Sequence, residues 1–116
     1  MDLKIEQLAS RSADRGLLVL EGRLNALTAP ELKKRLKDLP ANGQVYVVLD
    51  MSKVSFLDSS GLAALVSGLK ATREAGGTLK LAGLTEQARQ VFQITRLDQV
   101  FELYPDREAA LVALAG

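Results

Sequence analysis

The stretch QVYVVLDM, residues 44–51, sets Val45, Val47, Val48 and Leu49 in an almost unbroken apolar run. Alternation marks a strand wetted on one face, whereas a continuous run marks one covered on both, so this segment reads as the central strand of a sheet. The segments on either side of it have a helical period. After SKVSFLDSS, Leu62, Leu65, Val66 and Leu69 recur at i, i+3, i+4 and i+7, which predicts a helix from about Ser60 to Glu74, ended by Gly76-Gly77. Before it, LTAPELKKRLKDL puts Leu32, Leu36 and Leu39 on one face. Thr28 as N-cap, Pro30 in the first turn and Glu31 three residues after the cap form a capping-box signature, so this helix starts at about Ala29 and stops at ANG, residues 41–43. Lys33, Lys34, Arg35 and Lys37 fall largely on its other faces. A docking face is one reading of that basic run, and the ordinary solvated side of an amphipathic helix is the simpler one.

The flanks complete an alternating order. LKIEQLA and GLLVLEG are predicted strands joined as a hairpin through SRSAD, residues 10–14. TLKLAG alternates Leu79 and Leu81 as a further strand, Gly83 breaks it, and Thr85 caps a helix carrying Ala88, Val91 and Phe92. QVFELYP reads as a short edge strand stopped by Pro105, and a last helix, Asp106 to Ala115, buries Ala110, Leu111 and Leu114. The order β-β-α-β-α-β-α-β-α implies an α/β fold: one compact domain over residues 1–116, with a mixed, mostly parallel sheet of about five strands, about four helices and an antiparallel edge from the opening hairpin. In such sheets sites gather beyond the carboxyl ends of the strands, where the 55–61 loop is expected to lie.

Composition narrows the chemistry. The 116 residues contain no Cys and no His, which removes disulfides, thiol nucleophiles, thiolate metal sites and any Ser-His-Asp triad. No metal or cofactor is expected, and catalysis is disfavoured. Fifteen basic and fourteen acidic residues leave a formal charge of +1, too little for a whole-surface field that would hold nucleic acid or anionic lipid. No stretch approaches the roughly eighteen apolar residues of a membrane span, and MDLKIEQLAS lacks the pattern of a signal peptide, so a cytoplasmic location is the simplest expectation.

Recognition must therefore be local, and SFLDSSGLAAL, residues 55–65, is where polar chemistry concentrates. The first amides of a helix lack partners within it and the macrodipole adds about half a positive charge, so this end accepts anions. Asp58 or Ser59 can cap it, and Gly61 lets another backbone or a bulky group approach closely. A phosphoryl group on either serine would add a charge of about −1.5 to −2, tolerable to the helix end but costly to a partner packed on the same spot. Read alone, DSSG is also simply a good helix start. Asp58 beside Ser59 is a weak case for a hydrolase, since an ordinary Asp is a poor base for a serine hydroxyl and neither serine sits in a G-x-S-x-G elbow or three residues before a lysine.

Three segments carry a resemblance: LEGRLNALTAPEL at 20–32, VVLDMSKVSFLDSSGLAALV at 47–66, and GGTLKLAGLTEQARQVFQITRLDQVFELYPDREAAL at 76–111. Together they resemble the STAS family, the domain shared by bacterial anti-sigma factor antagonists and the cytoplasmic tails of sulphate transporters. The resemblance implies a mixed sheet with helices on one side and a phosphorylation-switched binding protein. Unphosphorylated, it would hold a GHKL-type serine-kinase anti-sigma factor, and phosphorylated it would release it and become the substrate of a PP2C-type phosphatase. By the same resemblance Ser59 is the phosphorylation site, Asp58 and Ser60 flank it, and Gly61 opens the contact helix. Asn25 stands where the family commonly has Asp or Asn in a loop beside that serine, and Thr28 matches a frequent small polar position. The expected partner-binding set is Asn25, Thr28, Asp58, Ser59, Ser60, Gly61 and Leu62. An alternative within the family is a non-switching STAS subunit of an ABC-type lipid-trafficking transporter. A small-ligand binder or enzyme would instead need a well-formed pocket near Asn25 and Ser59.

Overall fold

The computed structural model describes residues 3–10 and 12–115; Met1, Asp2, Gly116 and Arg11, the last within the expected hairpin turn, lie outside the described residues. Five strands and four helices follow in chain order: β1 (Leu3–Leu8), β2 (Arg15–Leu24), α1 (Ala29–Ala41), β3 (Tyr46–Leu57), α2 (Ser59–Glu74), β4 (Thr78–Ala82), α3 (Glu86–Ile94), β5 (Glu102–Tyr104) and α4 (Arg107–Ala115). A 3₁₀ turn, Leu97–Gln99, leads into β5. The sheet order is β1-β2-β3-β4-β5. β1 runs antiparallel to β2 and every other pairing is parallel. The predicted central strand is thus central and the hairpin is an antiparallel edge.

The main core lies between the sheet and α1, α2 and α3, where Leu18, Leu20, Leu49, Leu79 and Leu81 meet Leu32, Leu36, Leu65 and Phe92, all buried. Phe92 meets Phe101 edge-on at 5.4 Å between ring centroids, a geometry that suits aromatic quadrupoles. The other strand faces carry Leu17, Val48 and Ala82 against Ala110 of α4, with Leu111 and Leu114 partly buried beside them. Helices therefore cover both faces, three on one and one on the other, which corrects the one-sided arrangement implied by the resemblance. Burying alternate residues on opposite faces is what the continuous run 45–49 required.

β3 is longer than its sequence pattern suggests, and the expected 55–61 loop is absent. Against β2 the register moves from Val19↔Asp50 to Glu21↔Lys53, and again from Gly22↔Val54 to Arg23↔Phe56. Each shift puts one extra residue into β3, a β-bulge that bends the strand and resets which side chains face in. As a result Met51, Val54 and Leu57, three apart, join Leu49 in the same core. Strict alternation would have sent Val54 to the opposite face, so SKVSFL does not look like a strand in sequence.

No helix among the described residues is long and apolar enough to cross a membrane.

Candidate functional site

β3 and α2 meet at a single residue, Asp58, in extended conformation with φ −118° and ψ −172°. Its backbone N–H donates to the Leu24 carbonyl at 3.3 Å, its carbonyl accepts the first helical bond from Leu62 N at 2.9 Å, and its Oδ1 accepts from Gly61 N at 3.0 Å. This is an N-cap by an acid, satisfying one orphan amide and placing negative charge at the positive helix end. The expected row of outward amides is accordingly shorter than anticipated: Gly61 is capped, and the amides of Ser59 and Ser60 have no hydrogen-bond partner among the described residues.

Ser59, the first helical residue, is exposed and Ser60 half-buried. Among the described residues no hydrogen bond joins the Asp58 carboxylate to either serine hydroxyl. The acid is engaged in capping. Gly61 and Leu62 lie beneath the surface. A Cβ on Gly61 would stand 2.6 Å from the Leu24 carbonyl oxygen and 2.8 Å from Leu57 Cδ1, so the close approach it permits is that of β2 and β3 against α2. Leu62 is 5% exposed and packs in the core. Its expected place in the contact surface is thereby corrected: it anchors the helix from below, at the head of the apolar stripe that Leu65 and Leu69 continue into the core.

The β2–α1 loop lies beside this junction. Asn25 Oδ1 accepts from Leu27 N at 3.0 Å and Thr28 N at 3.3 Å, and the Asn25 carbonyl accepts from Ala29 N at 2.8 Å. Thr28 Oγ1 accepts from Asn25 N at 3.0 Å and donates to the Arg23 carbonyl at 2.8 Å. The predicted capping box is not formed, since Thr28 makes no side-chain cap to α1 and its backbone is already helical. Asn25 caps instead, in an Asx-turn, and Thr28 ties the loop back to the end of β2. Both residues are committed to loop shape, and Leu27 is left 82% exposed at the tip. Between this loop and α2 runs a shallow groove, with Ala26, Pro30 and Lys33 on one side and Ser60 and Ala63 on the other.

Gln87 of α3 was not singled out by sequence. Its Oε1 accepts from Leu57 N at 2.9 Å and its Nε2 donates to the Leu57 carbonyl at 2.8 Å. A lone half-buried glutamine on a helix carries no periodic signal, so nothing in the sequence points to this pairing.

The groups with shifted pKa values belong to the other side of the sheet. Burial opposes the charge of Lys80, which is 6% exposed, but hydrogen bonds to Tyr104 and Glu102 at 3.0 and 2.9 Å outweigh it and raise its pKa. The hydrogen bond from Lys80 likewise holds the Glu102 carboxyl below its ordinary value. Among the described residues no cluster of three or more acidic side chains is placed to hold a metal ion.

Comparison with known proteins converges on one family. The family model described as the STAS domain matches residues 8–110. An anti-sigma-B factor antagonist of Listeria monocytogenes is 30% identical over 103 residues, covering 89% of this chain and 90% of that protein. Among solved structures, an anti-sigma factor antagonist from Mycobacterium paratuberculosis superposes with a TM-score of 0.83 at 26% identity, covering 97% of this chain and 96% of the other. The anti-sigma factor antagonist SpoIIAA in its unphosphorylated form superposes with a TM-score of 0.84 at 18% identity, with 97% of each chain covered, a likeness of fold.

Proposed function

The chain belongs to the STAS domain family, and from that premise we propose that it is an anti-sigma factor antagonist, a binding protein and not an enzyme, switched by phosphorylation of Ser59. Residues 8–110 carry its STAS domain, and it works in the cytoplasm. Unphosphorylated, it sequesters a serine-kinase anti-sigma factor of the GHKL type; phosphorylated, it releases that partner and is reset by a PP2C-type phosphatase.

The observation that carries this reading is the exposure of Ser59 at the start of α2 while its neighbours are engaged: Asp58 as cap, Gly61 as contact to the sheet. The hydroxyl is open to a kinase, and the remaining contact surface is preorganised around it by Asn25 and Thr28. A dianion on Ser59 would stand next to the Asp58 carboxylate, and no basic side chain pairs with that carboxylate among the described residues. A partner docked over the groove would have to bury both charges, at a cost of several kcal/mol. At about 1.4 kcal/mol per tenfold in affinity, that is enough to turn binding off.

The test is to incubate the protein with the candidate kinase and ATP and to map the modified residue by mass spectrometry. Phosphate on Ser59 is expected. Phosphate confined to other residues, or none, overturns the assignment.

A further inference from the structure

β4 pairs with β3 only from Tyr46↔Thr78 to Asp50↔Ala82, so among the described residues the last seven of β3, Met51–Leu57, have no strand beside them on that edge. Alternate backbone groups of a strand point to opposite edges, and those of Leu57 face the open one while the N–H of Asp58 faces β2 and bonds Leu24. The Leu57 pair is met by one side chain. Gln87 accepts from its N–H at 2.9 Å and donates to its carbonyl at 2.8 Å, the two bonds that a neighbouring strand would have made. The carboxamide, with its oxygen toward N–H and its NH₂ toward C=O, satisfies both. Leu57 is 1% exposed, so the groups Gln87 pairs have little access to water as a substitute partner.

We propose that Gln87 is the positioning residue of the β3–α2 junction, acting as a one-residue surrogate strand through which α3 holds Ser59 in place for phosphoryl transfer. Leu57 precedes Ser59 by two residues, with only the capping Asp58 between them. The junction is clamped from both edges, by Leu24 of β2 and by Gln87 of α3. α3 itself is secured separately, by the Thr85 cap to Ala88 N and by buried Ala88 and Phe92. Loss of the carboxamide therefore frees the end of β3 without removing the helix that carries it. The phosphorylation part of this inference rests on the function proposed above; the positioning part does not.

Two variants of the full chain test it, with two readouts. Gln87→Met keeps length and removes both bonds. Its Leu57 amide should exchange with solvent at least tenfold faster than in the wild type, by NMR, with the Leu49 amide in the core unchanged. Gln87→Glu keeps the acceptor but sets a carboxylate oxygen against the Leu57 carbonyl. Protection of Leu57 relative to Leu49 should be low at neutral pH and recover on acidification, as the carboxyl takes up a proton and regains a donor. A role confined to helix stability would show no such recovery. With the kinase, Gln87→Met should lower kcat for Ser59 at least fivefold with KM within twofold, because the docking surface is intact and only the hydroxyl is misplaced. Unchanged Leu57 protection in Gln87→Met overturns the inference, as does an unchanged kcat when the wild type is phosphorylated on Ser59. If the wild type is not phosphorylated there, the switch fails and the exchange measurement alone decides the role of Gln87.

Discussion

Leu24 and Leu57 stand opposite each other in the last register pair of β2 and β3, and both close on the space where a Cβ of residue 61 would lie. The Leu24 carbonyl oxygen would be 2.6 Å from that Cβ, and main chain does not give way as a side-chain tip does. Gly61→Ala should therefore destabilise the fold by about 1–3 kcal/mol, the usual cost of forcing a methyl into a packed core. Urea denaturation measures it, and a midpoint equal to that of the wild type would contradict the packing described.

Charge at Ser59 should act on binding and not on folding. Ser59→Asp is expected to weaken binding of the proposed anti-sigma factor kinase at least tenfold, about 1.4 kcal/mol, while Ser59→Ala binds as the wild type does. Calorimetric titration of both variants decides this, and equal affinities would refute the charge argument.

Capping separates the two roles open to Asp58. Asp58→Ala removes the acceptor for Gly61 N and should cost about 1 kcal/mol of stability. Asp58→Asn keeps an equally good cap without the charge and should fall within a few tenths of a kcal/mol of the wild type. If Asn proves as damaging as Ala in thermal unfolding, the carboxylate matters for its charge and not as an acceptor.

Asn25→Ala should strand the Leu27 and Thr28 amides and loosen the loop at a cost of about 1 kcal/mol. The loss should appear in thermal unfolding, and partner affinity should fall with it, since the exposed Leu27 loses its fixed position. A Tm unchanged by Asn25→Ala would show that the loop does not depend on the Asx-turn.

The Lys80–Glu102 pair makes stability depend on pH at both extremes. The Glu102 pKa is lowered in the folded state, so its contribution is present above the unfolded value of about 4.3 and is lost as pH falls from there through the folded value. The Lys80 pKa is raised, so its contribution holds below the unfolded value of about 10.4 and is lost as pH rises through the folded one. The Glu102 side chain is 53% exposed, and solvent screening keeps the pair's contribution under about 1 kcal/mol. Glu102→Gln should flatten the acid limb of a stability profile measured between pH 2 and 7, and an unaltered slope would show that the pair does not contribute.

Much of the fold was legible before any coordinates because its signals are local and periodic. The helical stripe from Leu62 to Leu69 placed α2 to within a residue, and the cap at Thr85 and the apolar run at 45–49 placed α3 and β3. Where expectation failed, the deciding partner was distant in sequence. Two bulges register β3 against β2, some thirty residues away, and they hide the strand from Met51 to Leu57 by breaking its period. Thr28 has the right spacing for a capping box, yet its hydroxyl bonds the Arg23 carbonyl, a group available only because β2 ends beside it.

The site divides along the same line. Sequence alone determined that an acid, two serines and a glycine begin a helix after a strand, since capping and helical period act within four residues. Tertiary structure decided which of them face outward. Leu62 turns under because the sheet lies there, Gly61 is required by the Leu24 carbonyl, and Gln87 reaches Leu57 from another helix. Each of these depends on chain segments brought together only by folding, and a hydrogen bond or a steric contact across such a distance leaves no mark in local periodicity.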